Sequence, residues 1–293
     1  MANKLYDEAC VQAIADAIRG KNGLEDSYKI GDMAEAINNI EVTESTLKEL
    51  IEGTITEISD STIERVKAYA FYGCTALENL LIPSAASIGT YACRACSNLG
   101  VIEITNAETL GSYAFGETAI EEADLPACNA IGASAFRDCA NLLSVDAPTC
   151  NAISGYAFQG CGKLASINFP AATTIASNAF YECTALAEIE FPAVTSIDGS
   201  YAFQGCVSLA RADFGSLAKI AVNTFNGCST LTELIIRTPS VCSLAGTNAF
   251  NNTPVKSGSG YVYVPDDLVD SYKAATNWVT YEAQIKPISE LEV

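Results

Sequence analysis

Ile153-Ser-Gly-Tyr-Ala-Phe-Gln-Gly-Cys-Gly-Lys-Leu-Ala-Ser-Ile-Asn-Phe-Pro170 decides the fold, because the same order of residue types returns along most of the chain. The shared motif is Ala-Phe-x-x-Cys-x-x-Leu-x-x-Ile-x-x-Pro. Its Phe position falls at Phe71, Cys93, Phe115, Phe136, Phe158, Phe180, Phe203, Phe225 and Phe250, with spacings of 22, 22, 21, 22, 22, 23, 22 and 25 residues. Three residues later stand Cys74, Cys96, Thr118, Cys139, Cys161, Cys183, Cys206, Cys228 and Thr253. Apolar anchors follow at Leu77, Leu99, Ile120, Leu142, Leu164, Leu186, Leu209 and Leu231, and a second apolar series from Ile88 to Leu244 opens each following unit. One such unit cannot bury its own apolar face, so a fixed period of this length means stacked coils that share a core. Nine coils account for most of the 293 residues.

Within a unit, the segment Leu-x-x-Ile-x-Ile/Phe alternates with a period of two, which predicts a strand, for example Leu77 to Ile82 and Leu186 to Phe191. Pro83, Pro126, Pro148, Pro170 and Pro192 end strands where the ladder no longer needs an N–H donor. The other half, Ile-x-x-x-Ala-Phe-x-x-Cys, is too short for more than a turn or one helical turn. Its Ala and Phe are expected to stack inside as a column.

A period of about 22 residues lies in the leucine-rich-repeat range. The units resemble BspA-like, or treponemal-type, bacterial leucine-rich repeats over roughly residues 54 to 265. The resemblance implies an α/β repeat: a right-handed leucine-rich-repeat solenoid of about nine 22-residue coils, with one parallel β-sheet face and small helical N- and C-terminal caps. Cys93 in place of Phe, Thr118 and Thr253 in place of Cys, and the longer last unit containing Lys256-Ser-Gly-Ser-Gly260 depart from the pattern and predict local irregularity.

Seven of the 12 cysteines form one ladder: Cys74, Cys96, Cys139, Cys161, Cys183, Cys206 and Cys228. Cys128 and Cys150 form a second short column, and Cys10, Cys93 and Cys242 stand alone. Stacked strands lie about 4.8 Å apart, which brings adjacent rungs near disulfide or metal reach. Against bonding, no Cys-x-x-Cys pair occurs, stacked side chains point the same way, and Thr takes the rung twice. The ladder reads as small, reduced, buried side chains, and no metal site is expected.

The flanks read as caps, because the end coils of a solenoid otherwise expose its core. Residues 1–62 are read as a helical N-terminal module with a capping strand, residues 63–265 as the solenoid, and residues 266–293 as a C-terminal cap. In the first module, residues 3–19, 32–37 and 46–52 are helix candidates and Thr54 to Ile58 a strand. The pair AIADAIRGKNGLEDSYKIGDMAEAINNI is similar to an N-terminal module of Firmicutes phage and prophage structural proteins. At the other end Tyr261-Val-Tyr-Val-Pro265 reads as a last strand, Asp266 to Ala275 as a helix, and Trp278, Tyr281 and Ile285 as the plug.

Composition narrows the function. With 35 Asp and Glu against 16 Lys and Arg, the formal charge of -19 repels phosphate, so no nucleic acid is expected as a partner. The absence of histidine removes Ser-His-Asp and Cys-His catalysis and imidazole-dependent zinc sites from this chain. No Gly-rich phosphate loop follows a strand, and the carboxylates recur in rows instead of as a unique pair. An enzyme is not expected, nor is a cofactor. The N-terminus has no long apolar core and no stretch approaches a membrane span. Synthesis in the cytoplasm without membrane insertion is therefore expected, with a phage particle or the cell surface reached by a non-classical route.

Recognition is then left to exposed positions on the strands. Carrying the register of Asn79 and Leu81 down the stack gives Val101 and Glu103, Glu122 and Asp124, Ser144 and Asp146, Ser166 and Asn168, Glu188 and Glu190, Arg211 and Asp213, Glu233 and Ile235, and finally Tyr261 and Tyr263. Eight carboxylates and a single Arg share this face. It suits a basic protein surface or a polyamine, and less directly a glycan; weak calcium binding is chemically compatible but not expected. Acidic exposed positions also keep a sheet soluble. The function expected is a non-enzymatic binding or adhesion scaffold recognising a protein or glycan, on a bacterial surface or phage particle. The alternative is a structural spacer that oligomerises through its caps.

Overall fold

A computed structural model describes residues 54–291. The N-terminal helix candidates and Cys10 lie outside the described residues. Each coil runs through a strand of three or four residues, a turn, a strand of two residues, and a double turn carrying Ala-Phe-x-x-Cys. Every strand pairing between neighbouring coils is parallel.

The longer strands make the front of the solenoid. Glu57–Ser59, Asn79–Leu81 and Val101–Glu103 form one sheet, and Glu122–Asp124, Ser144–Asp146 and Ser166–Asn168 a second. Glu188–Phe191, Arg211–Phe214, Glu233–Ile236, Tyr261–Val264 and Ile285–Pro287 form a third. The single sheet expected on this face is therefore divided in three. The first division falls at the 21-residue coil, where Thr118-Ala119-Ile120 lacks one residue of the Cys-x-x-Leu spacing. The backbone bond across it, from Glu121 N to Gly100 O, stretches to 3.5 Å.

Behind this face runs an unbroken nine-stranded ladder of two-residue strands, from Arg65–Val66 to Ser243–Leu244. The sequence reading leaves this half of the unit as a turn. The second apolar residue of each pair, Ile88, Leu110, Ile131, Ile153, Ile175, Ile197, Ile220 and Leu244, points inward and is at most 5% exposed. Coils approach closely just beyond it. A Cβ added at Gly111 would lie 2.4 Å from Thr90 N, and one at Gly132 would lie 2.6 Å from the Gly111 carbonyl carbon, so these rungs accept no side chain.

Phe115, Phe136, Phe158, Phe180, Phe203, Phe225 and Phe250 are fully buried and stacked, with centroids 5.2–5.8 Å apart. Phe71 is buried as well, cut off from Phe115 by Cys93. Beside them the thiols of Cys96, Cys139, Cys161, Cys183, Cys206 and Cys228 donate to the Phe-position carbonyl of the preceding coil at 2.9–3.2 Å. Cys74 is half-buried, and the cysteines of the described residues are free thiols. Thr118 and Thr253 instead turn their hydroxyls onto Phe115 and Phe250 of their own coils, at 2.8 and 2.7 Å.

The C-terminal end is closed by aromatic side chains. After the strand Tyr261–Val264 come a 3-10 turn, Asp266–Leu268, and a helix, Val269–Ala274, in place of one helix. Tyr261–Val264 is not the last strand, since Ile285–Pro287 pairs with it. Trp278, Tyr272 and Tyr281 are at most 1% exposed. Trp278 Nε1 donates to Cys242 O at 2.6 Å, Cys242 N donates to the Tyr272 hydroxyl at 2.9 Å, and the Tyr281 hydroxyl donates to Thr247 O. Trp278→Phe keeps most of the ring but removes this donor; it is expected to lower stability by about 1–3 kcal/mol, measured as a shift in urea midpoint. Among the described residues, no helix is long and apolar enough to cross a membrane.

Candidate binding face

Parallel in-register pairing converts the repeat into columns of side chains. Glu122 stands beside Ser144 and then Ser166, while Asp124, Asp146 and Asn168 form the adjacent column. In the third sheet Glu188, Arg211, Glu233 and Tyr261 form one column, and Glu190, Asp213, Ile235, Tyr263 and Lys286 the other. The inward partners, such as Ala123, Val145, Ile189, Ala212 and Leu234, are at most 3% exposed. The core on one side of each strand thus fixes which residues stand on the other.

Charge is not uniform along this face. Towards the C-terminal end Arg211 pairs with Glu233 at 2.6 Å and with Asp213 at 3.4 Å. Arg237 forks onto both oxygens of Asp213 at 2.8 and 2.7 Å. Lys286 Nζ sits 4.1 Å from the centre of the Tyr261 ring and 3.5 Å from Glu290. In the middle, Asn168 donates to Asp146 at 2.7 Å. Among the described residues no salt bridge reaches Glu103, Glu122, Asp124, Glu188 or Glu190, and all five are exposed. The face is a bare acidic middle followed by a self-neutralised end.

Two expectations change. Arg211 is not the sole cation of the face, because Arg237 continues the outward alternation of Glu233 and Ile235, and Lys286 arrives on the added strand. The alternation, extended by two residues, already points to Arg237. Tyr263 and Ile235, expected as exposed contacts, are only 7% and 0% exposed: the strand Ile285–Pro287 lies against Tyr263, and Ile235 is covered between its column neighbours Asp213 and Tyr263. Glu78 and Glu121, which precede their strands and are exposed, enlarge the acidic region beyond the residues read from sequence. Among the described residues, no group of three or more acidic or cysteine side chains is arranged to hold a metal ion.

The family match agrees with this architecture. Residues 37–143, 64–174 and 151–260 match the BspA type leucine rich repeat region, in six copies. No curated protein matches the chain at a significant level. Among solved structures, the pneumococcal vaccine antigen PcpA is similar at 14% identity, covering 79% of this chain and 77% of that one with a TM-score of 0.48. A leucine rich cell surface protein of Faecalibacterium prausnitzii is similar at 18% identity, over 76% and 67% of the two chains, with a TM-score of 0.33. The leucine rich repeat protein of T. pallidum is 24% identical, over 53% and 78%, with a TM-score of 0.35. With the repeat region matched over most of its length and its coils stacked in parallel register, the chain belongs to the BspA-type leucine-rich-repeat family.

Proposed function

We propose that this protein is a non-enzymatic recognition scaffold that binds a basic protein surface through the acidic middle of its front face. The observation that carries the reading is the contrast along that face: carboxylates at the C-terminal end have arginine partners at 2.6–3.4 Å, while Glu103, Glu122, Asp124 and Glu188 make no salt bridge among the described residues and Glu190 interacts with Arg237 only beyond salt-bridge distance. Rows of like charge about 4.8 Å apart repel one another, and a cationic partner relieves that repulsion and steers its own approach. A rigid stacked core holds the rows in place without further ordering cost, so recognition is preorganised. A location on a bacterial surface or phage particle fits the same reading. Recognition of a glycan by this face, and a spacer role through the caps, are the competing accounts.

The test compares three proteins on an immobilised lysine-rich peptide by surface plasmon resonance: the native chain, the reversal E122K/D124K/E188K/E190K, and a control reversing Glu64, Glu108, Glu182 and Glu282. Both variants change net charge equally. The front reversal is expected to lower affinity at least about tenfold more than the control. Equal losses would reduce the acidic face to a solubilising surface.

A further inference from the structure

Away from the front strands, the double turn of the first eight coils begins with a residue in the left-handed region: Tyr69, Tyr91, Tyr113, Ser134, Tyr156, Asn178, Tyr201 and Asn223, with φ between 54° and 67°. The shared conformation and a shared backbone bond place these side chains in one column. Tyr69 N, Tyr91 N, Tyr156 N and Asn178 N each donate to the carbonyl that precedes the equivalent residue of the next coil, Thr90, Ser112, Ser177 and Ser200, at 2.8–3.1 Å. Where three tyrosines follow one another, the rings stack. Tyr69 to Tyr91 and Tyr91 to Tyr113 are each 5.0 Å between centroids, with planes within 6° of parallel.

The same ladder resumes further along with one rung missing. Tyr156 and Tyr201 flank Asn178, and among the described residues they are the two aromatic side chains that stand exposed, at 42% and 39%. Neither makes a ring contact or side-chain hydrogen bond with another described residue. Two coil spacings separate them, about 10 Å, so the space between their faces is one ring thick by the pitch of the stacked tyrosines. The earlier gap, at Ser134, is not equivalent: Ser134 is 3% exposed and Arg137 crosses to the Tyr113 hydroxyl at 3.3 Å. Beside the open gap lies Gln159, three residues after Tyr156, in the position that Tyr72 takes beside Tyr69 and Tyr91. Its side-chain oxygen is buried and closed to a ligand in the gap, so it takes no part in the site.

We infer that the gap between Tyr156 and Tyr201 is a carbohydrate site that takes one pyranose ring of a glycan. A pyranose presents C–H groups on its two faces, which pack on the π faces of tyrosine, and hydroxyls around its rim, which need amides and hydroxyls at the edge of the slot. Tyr156 and Tyr201 supply the two faces. Asn178 forms the floor with an amide that both donates to and accepts from hydroxyls on the rim of the sugar. A bare aromatic ring leaves the Asn178 amide unanswered, and a cation finds no unpaired carboxylate in the column. The site is separate from the acidic face and does not depend on it.

The experiment is affinity electrophoresis of the whole protein through native gels cast with a soluble β-glucan, an α-mannan, a galactan or a xylan. At least one polysaccharide is expected to retard the native protein. Tyr156→Ala and Tyr201→Ala should each weaken that retardation at least about tenfold. Asn178→Tyr is the decisive variant, since it fills the gap with the ring that other rungs carry, and it should abolish retardation while the circular dichroism spectrum is unchanged. The reversal E122K/D124K/E188K/E190K should still be retarded once its altered mobility in plain gels is subtracted. Absence of retardation in all four gels, or equal retardation of the native protein and Asn178→Tyr, would overturn the inference.

Discussion

Between pH 8 and about pH 10.5 the solenoid is expected to lose most of its stability. Burial pushes the Cys128 and Cys242 thiols up to about 12 and the Cys139 thiol up to about 11. It also raises Cys150, Cys161, Cys183 and Cys228. In the unfolded chain a cysteine titrates near about 8.5. Because each folded value is the higher one, the stabilisation is complete below the unfolded value and is lost as pH rises towards the folded one. In that window the unfolded chain releases protons that the folded chain keeps. Each thiol then removes about 1.4 kcal/mol per pH unit, so three remove about 4 kcal/mol per unit and about 8 kcal/mol over the roughly two units up to about pH 10.5, against a typical domain stability of about 5–15 kcal/mol. The check is the urea midpoint by circular dichroism at half-unit pH steps in reducing buffer. A flat profile to pH 8, a steep fall above pH 9 and a shallower slope for C139A/C161A are expected. A profile that stays level to pH 11 would mean that the buried ladder does not resist ionisation.

Phe180→Ala should be the most damaging single truncation in the middle of the stack. Phe180 lies between Phe158 and Phe203, 5.2 Å from each, and packs at an angle on Phe169 and Phe191 at 6.4 and 6.2 Å. Removing a ring of this kind costs about 3–5 kcal/mol, partly transfer energy and partly the cavity left behind. In a solenoid the loss has a further consequence, since stability is a sum of coils and nearest-neighbour interfaces and this ring belongs to two interfaces. Urea unfolding is therefore expected at a lower midpoint and with a broadened or two-step transition. Tyr91→Ala, which removes a half-exposed ring from the outer stack, serves as the control and should cost less than half as much. Equal costs for the two variants would show that stacking as such, and not burial, holds the coils together.

The comparison of these rings shows what could be read from the residues alone. Phe158, Cys161 and Leu164 are legible because their positions demand one property, burial in a fixed volume, and few residue types meet it. The front register is legible for the same reason, since Ile189 and Ala212 must face inward and thereby turn Glu188 and Arg211 outward. The tyrosine column escaped because its rule is conformational. Tyr156, Ser134 and Asn178 share no size or polarity; they share a left-handed backbone, which tolerates Asn readily and other side chains at some cost. The short back strands escaped because two residues carry no periodicity. Arg237 lies on the alternation carried two residues further, but its fork onto Asp213 depends on where the strand ends, and Lys286 arrives on a strand added by the C-terminal segment that the repeat does not contain.

The seam at Thr118 bears on the shape of the molecule. There the coil is one residue short, the front sheet parts between Val101–Glu103 and Glu122–Asp124, and the side-chain bond turns back into its own coil. The back ladder crosses the same point intact, pairing Thr109 with Ala130 and Leu110 with Ile131. At this seam the coils are joined by the back ladder and by backbone bonds of the double turns, such as Cys93 N to Ala114 O at 2.7 Å, while the front strands are not paired. The front parts again between Ser166–Asn168 and Glu188–Phe191, where the back ladder is likewise continuous. Curvature is thus set at two fixed places: the seams decide the distance from Glu103 to Glu122 and from Asn168 to Glu190, while strand pairing fixes the spacing inside each block.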